Sequence, residues 1–311
     1  MRNKILKNAY NMRLASGQCL SLVATPKMRP WLARFASIME LSPSSSEGNP
    51  KVIFARYDPL RNKKTGPGCD IGPVAGRSFP VDGWSLNDLR VVKIWHHDLI
   101  RDVVCEIPEF EDEKMEILQM CNSLYAVYNE AQKAGGFPMH AALIERRGRG
   151  IVVAAPGNTG KSTLCRRLPP RWKALSDDEA LIVPDIEGRY LAHPFPTWSD
   201  YIWNKSENTW NVERSVFLEA IFFLEQAEVN EVEAVDKVNA VTIMNRSVHE
   251  VFFKNCADKK EVKETPRRRI LFENVCRAAR VVRSFRLRCT LSGELWDEID
   301  RAIGAGEGRL A

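Results

Sequence analysis

The chain begins with alternation. In AYNMRLASGQCLSLVA (9–24), two runs of alternating apolar and polar positions flank Ser16-Gly17, which predicts a β-hairpin. PWLARFASIMEL (30–41) changes to helical spacing with Pro30 in the first turn, and KVIFARYD (51–58) returns to a strand pattern. Residues 59–82, rich in Gly, Pro and Lys/Arg, predict a long mobile loop, and RVVKIWHHDLIRDVVCEIP (90–108) predicts a further pair of strands. Over 114–134, Ile117, Cys121, Leu124, Tyr125 and Tyr128 share one helical face. Gly135-Gly136 ends that helix and marks the expected domain boundary.

Beyond it, FPMHAALIE, the basic glycine turn RRGRG (146–150) and IVVAAPG predict a hairpin whose second strand runs into a glycine-bearing loop. A short helix, STLCRRL, is stopped by Pro169-Pro170. WKALSDDEALIVPD and RYLAHP form an expected strand pair turning at Ile186-Glu187-Gly188, and EAIFFLEQ (219–226) is a strongly apolar strand. Helices are expected over 236–254 and 266–282, then a strand over 284–291. A last helix is capped by Ser292, with Leu295, Trp296, Ile299 and Ile303 facing inward. The fold class read from this order is α/β. A smaller α+β domain (1–135), with a client-binding or dimerising role, precedes a nucleotide-binding domain (136–311) built on a mixed sheet with flanking helices.

Composition narrows the class. With 44% hydrophobic and 27% charged residues among 311, the chain reads as globular. No apolar run approaches the roughly 20 residues of a membrane span, and the basic N-terminus lacks the apolar segment of a secretory signal. A cytoplasmic protein with no membrane partner is expected. The 8 cysteines are scattered without a C-x-x-C pair, as free thiols are. The net charge of +5 is modest, and the arginines of 267–288 read as a solvated helix face, so no nucleic-acid partner is expected.

The chemistry concentrates in one stretch. Ala155-Pro156-Gly157-Asn158-Thr159-Gly160-Lys161-Ser162, followed by Thr163, meets the phosphate-loop pattern with alanine in first place. Gly157 and Gly160 would let backbone N–H groups turn around a phosphate chain. Lys161 would place a charge on the β- and γ-phosphates of ATP, and Ser162 a hydroxyl on Mg²⁺. Sixteen residues past Lys161 lies Asp177-Asp178, inside a strand-like apolar run. Two carboxylates there are costly without a cation or hydrogen-bond partner, and strand alternation gives them different jobs. The competing reading is a polar turn. His140, on the strand before the loop, falls level with Ala155-Pro156, as a core histidine or as part of the site. His96, His97 and His193 have no partner at metal-ligand spacing.

At FPMHAALIERRGRGIVVAAPGNTGKSTLCRRLPPRWKALSDDEALI the chain resembles the HPr kinase/phosphorylase family, in which a Met-His strand, hairpin, phosphate loop, short helix and Asp-Asp pair follow in this order. The resemblance implies a P-loop kinase using ATP and Mg²⁺. Lys161 and Ser162 would sit on the nucleotide phosphates and Mg²⁺, Asp177 would be the catalytic carboxylate with His140 beside it, and Asp178 would support metal or structure. The family's later proline-glycine-arginine and glutamate-arginine signatures are absent, with Asp200 and Arg246 as candidate replacements. Including PTWSDY and AIFFLEQ, the chain resembles the shorter relatives of the SynChlorMet cassette protein C type. That resemblance implies a peptide or protein substrate, a ribosomally made precursor peptide, phosphorylated on Ser or Thr; a homo-oligomer is compatible with it. Two other readings stand beside the kinase: a nucleotide-bound, non-catalytic peptide-binding partner, and a GTPase-like switch suggested by Asp185-Ile186-Glu187-Gly188 and Asn204-Lys205-Ser206-Glu207.

Overall fold

The computed structural model describes residues 9–44, 50–61, 66–68, 71, 76, 78–204, 206–252, 266–290 and 295–304. They divide into two compact units. One takes the described residues up to Ala131 together with 198–213; the other takes 132–197, 214–252 and the described residues from 266 onward. Two mixed sheets with helices make the chain a mixed α/β protein.

In the first unit, β1 (Ala9–Arg13) and β2 (Cys19–Ala24) form the hairpin foreseen at Ser16-Gly17, where Gly17 takes φ 81°. After α1 (Arg29–Ile38) come β3 (Lys51–Arg56), β4 (Trp84–Asp88), β5 (Lys93–His97), β6 (Ile100–Ile107) and α2 (Glu113–Lys133). The sheet order is β1-β2-β3-β6-β5-β4, parallel only across β2–β3–β6. Trp31 and Phe35 of α1 pack on Phe54, with ring centroids 5.1 and 5.8 Å away. On the other side, Val23, Ile53, Ile71, Trp95 and Val104 form a second cluster. Of the loop foreseen over 59–82, residues 62–65, 69–70, 72–75 and 77 lie outside the described residues; its described part includes a 3₁₀ turn at Pro59–Arg61 and buried Ile71. Strand β4 was not anticipated, because WSLND carries only two large apolar side chains. Segment 198–213 brings Trp198 onto Phe35 (6.2 Å between centroids) and ties Trp210 N–H to Ile38 O at 2.9 Å.

The second unit is an eight-stranded sheet. β7 (Phe137–Arg146) and β8 (Arg149–Ala154) are the expected hairpin, closed by Arg147 and Gly148, both at positive φ (52° and 78°) as a type I′ turn requires. After α3 (Lys161–Arg166) follow β9 (Lys173–Ser176), β10 (Glu179–Pro184), β11 (Tyr190–Phe195), α4 (Trp198–Asn204, counted with the first unit), β12 (Val216–Gln226), β13 (Glu231–Ala234), α5 (Lys237–Phe252), α6 (Pro266–Val281), β14 (Arg283–Cys289) and α7 (Trp296–Gly304). The path β11-β10-β7-β8-β12-β14-β13 curls until β11 also pairs β12, while β9 lies against β7. Strands β8, β12 and β14 run parallel. A βαβ-type parallel core gathers its ligand-binding loops at the carboxyl ends of the strands.

Alternation along these strands sorts the two faces. Ala142, Ile144, Ile151, Val153, Phe222 and Leu287 pack with Leu164 of α3, Trp172 and the α7 side chains Trp296, Ile299 and Ile303. The inward positions foreseen for the last helix are therefore buried; the Ser292 cap lies outside the described residues. Buried Asn274 of α6 donates to Gln132 O and Gly136 O, at 2.9 Å each, and anchors the start of β7. No helix among the described residues is long and apolar enough to cross a membrane.

Candidate active site

The loop after β8 spans Ala155 to Gly160. Pro156, Gly157 and Asn158 are exposed, and Thr159 and Gly160 half-buried. Its left-handed positions are Asn158 (φ 63°) and Gly160 (φ 114°). Asn tolerates that region better than other side chains, and Gly160 needs none. Gly157 is not in that region, so the expectation that Gly157 supplies the conformational freedom passes to Asn158. The chain then enters α3, with Leu164 N–H donating to Gly160 O at 2.9 Å. Ser162 is half-buried and Thr163 exposed at the mouth of the loop.

Lys161 turns back instead of pointing to solvent and is 6% exposed. Its Nζ meets Ala155 O at 2.7 Å, Pro156 O at 3.4 Å and His140 Nε2 at 2.8 Å. An ammonium has three N–H bonds and no acceptor, so these three partners use all of them. His140 Nε2 is then an acceptor, and the ring proton sits on Nδ1, which faces Asp178 Oδ1 at 3.2 Å. Burial pulls the Lys161 pKa below its ordinary value, while the carboxylates of Asp178, Glu250 and Asp177 push it back up. The histidine's position follows from register. Ala141 pairs Ala154 across the hairpin, which sets His140 level with Ala155, and alternation puts it on the face shared by Ala142 and Ile144. Ser247 of α5 holds the backbone there, donating to His140 O at 3.2 Å.

The two aspartates are not inside a strand. They form the two-residue break between β9 and β10, where the chain leaves its pairing with β7 at Ser176–Leu143 and resumes it at Glu179–His140. Asp178 O accepts from Ala141 N–H at 2.9 Å, which fixes the break. The carboxylates take different partners, though a bend and not strand alternation separates them: Asp178 has His140, and Asp177 accepts from Thr197 Oγ1. The contact foreseen between His140 and Asp177 is made by Asp178 instead, because the bend turns the second carboxylate toward β7. Asp177 also acts on the Cys165 thiol, whose pKa burial pushes up to about 12.

Beside the loop, within the same unit, lies a cavity of about 360 Å³. Leu164, Leu224, Cys289, Leu295 and Trp296 line it, with Gln226 at its edge and Thr159 and Gly160 at its loop end. Gln226 Nε2 donates to Thr159 O at 3.2 Å and ties the cavity wall to the loop. Sequence reading missed this cavity, Thr197 and Glu250. The cavity comes from strand ends far apart in the chain, and Thr197 stood out only within PTWSDY. Asp200 belongs to the first unit and accepts from Asn204 at 3.2 Å; Arg246 pairs with Glu250 at 3.8 Å. Asp185 builds the β10–β11 turn, its Oδ1 accepting from Glu187 N–H and Arg189 N–H, so Asp-x-x-Gly is a hairpin device here. Among the described residues, no group of three or more His, Cys, Asp or Glu side chains is placed to hold a metal ion.

The loop, the aspartate pair and both walls of the cavity fall within residues 103–304, and this stretch matches the family described as SynChlorMet cassette protein ScmC. The chain belongs to the ScmC family. Comparison with curated proteins gives no match. The match begins within β6 and ends with α7, so the site of this ScmC-family chain lies wholly in family sequence.

Proposed function

We propose that this chain is a kinase with an HPr-kinase-like nucleotide domain, one that binds ATP with Mg²⁺ at the 155–163 loop and transfers the γ-phosphoryl group to a Ser or Thr hydroxyl of a peptide or protein. The acceptor proposed is a ribosomally made precursor peptide; the family description speaks of a cassette and names no partner. The observation that carries the reading is the continuous chain Lys161–His140–Asp178, which joins a phosphate-seeking cation to a proton acceptor at the foot of one loop.

Phosphoryl transfer asks for positioning and charge stabilisation, plus a group to take the acceptor's proton. Lys161 stands where β- and γ-phosphate oxygens can replace the Ala155 and Pro156 carbonyls as its partners. Mg²⁺ keeps several waters and phosphate oxygens and needs one or two protein ligands. Ser162 and a single carboxylate fit that demand. From sequence, the base role falls to Asp177 and the metal role to Asp178. The His140–Asp178 contact supports the opposite division, and that is the division proposed: Asp178 accepts the proton, oriented by His140, while Asp177, held by Thr197, serves the metal.

Mass spectrometry of Ser/Thr-bearing candidate precursor peptides, incubated with the full chain, ATP and Mg²⁺, tests this. The expected result is a gain of one phosphate, slowed about 10²–10⁴-fold by Asp178→Asn, with nucleotide binding retained. Nucleotide binding without mass gain on any acceptor would point to the non-catalytic peptide-binding partner.

A further inference from the structure

The cavity beside the loop has a composition unlike the loop itself. Its walls are Leu164 from α3, Leu224 from the end of β12, Cys289 from the end of β14, and Leu295 and Trp296 at the start of α7. Leu164, Leu224, Leu295 and Trp296 are each at most 5% exposed, so the walls are fixed by the core and not by mobile side chains. The volume of about 360 Å³ falls within the range of small-molecule sites, roughly 300–1,000 Å³. The cavity opens at the carboxyl ends of parallel strands β12 and β14, beside the carboxyl end of β8 that feeds the loop. Thr159 and Gly160 are shared by loop and cavity.

A ligand filling both spaces therefore has a polar end set against Lys161 and a flat, largely apolar end among Leu224, Leu295 and Trp296. We propose that this cavity is the nucleoside subsite, taking the heterocyclic base and ribose of the triphosphate whose phosphates lie in the loop. The inference rests on the nucleotide reading above. Gln226 supplies the polar edge: its amide has a donor and an acceptor, and its contact with Thr159 O couples base recognition to the shape of the phosphate loop. The loop alone cannot tell a nucleotide from inorganic tripolyphosphate; the cavity can.

Cys289 reports on the site. It is a half-buried free thiol, and burial raises its pKa, so alkylation is followed in alkaline buffer by peptide-resolved mass spectrometry of the full chain. Saturating MgATP is expected to slow Cys289 alkylation at least about tenfold, a tenfold effect being about 1.4 kcal/mol of protection. Tripolyphosphate should leave Cys289 at its unliganded rate, and Cys19 in the first unit should react equally in all arms. Ala227 lies at the rim of the cavity, next to Gln226; Ala227→Trp, which fills that rim, is expected to weaken MgATP binding at least about tenfold and leave tripolyphosphate affinity unchanged. If calorimetry shows MgATP binding while Cys289 stays unprotected and Ala227→Trp binds like the wild type, the subsite proposal falls and the nucleotide reading survives. If neither MgATP nor tripolyphosphate binds, the nucleotide reading itself falls.

Discussion

Lys161 is the residue on which most of the site depends, and it is held at a cost. A buried ammonium is tolerated here because two carbonyls, a histidine and nearby carboxylates surround it. Replacing a whole buried polar cluster with apolar side chains is often neutral or stabilising, but removing one partner leaves the others unpaired and costs stability. Lys161→Met leaves the Ala155 carbonyl and His140 Nε2 without their donor, so it is expected to lower stability by about 1–3 kcal/mol and to lose its hold on nucleotide. The folded pKa of Lys161 lies below its ordinary 10.5, so the unfolded chain binds the extra proton between the two values. The wild type's margin over Lys161→Met should be smallest at lower pH, grow as pH rises through that window and level off above 10.5. A margin that falls toward alkaline pH would contradict this. At this scale much was legible in the sequence: the loop spacing named Lys161, and hairpin register placed His140 level with the loop. Which aspartate faces the histidine was not legible, because a bend, unlike a strand, does not obey alternation.

At the level of elements, strong local signals translated directly. Arg147-Gly148 closes a turn that needs two positive φ values, and the apolar run of β12 became the strand between β8 and β14. Weak signals failed. β4 and β13 are short and polar, and they exist only because β5 and β14 present edges to pair with. Gly150 shows why β8 can lie where it does. A Cβ at that position would stand 2.5 Å from Val216 Cγ2 on the neighbouring strand β12. Gly150→Ala should cost about 1–3 kcal/mol through overpacking, read as a lower urea midpoint with an unchanged slope. An unchanged midpoint would mean that β12 moves aside freely.

For the molecule as a whole, tertiary contacts decide what local patterns cannot. Segment 198–213 leaves the second unit's sequence to pack against α1 of the first, and no periodicity within PTWSDY announces that. By contrast, α7 was readable from its own apolar stripe, and its burial makes it a wall of both core and cavity. Ile299→Ala, at a fully buried position, is expected to cost about 2–5 kcal/mol and to weaken nucleotide binding in step, since Leu295 and Trp296 lose their backing. Stability loss without any effect on binding would separate α7 from the site. The account's central claim is that the 155–163 loop holds the phosphates of a nucleotide through Lys161. Calorimetric titration of MgATP into the full chain, beside Lys161→Met shown to be folded by circular dichroism, tests it most directly. The prediction is saturable one-to-one binding by the wild type, weakened at least about tenfold (about 1.4 kcal/mol) in the variant. No binding to the wild type, or equal affinity in both proteins, would contradict it.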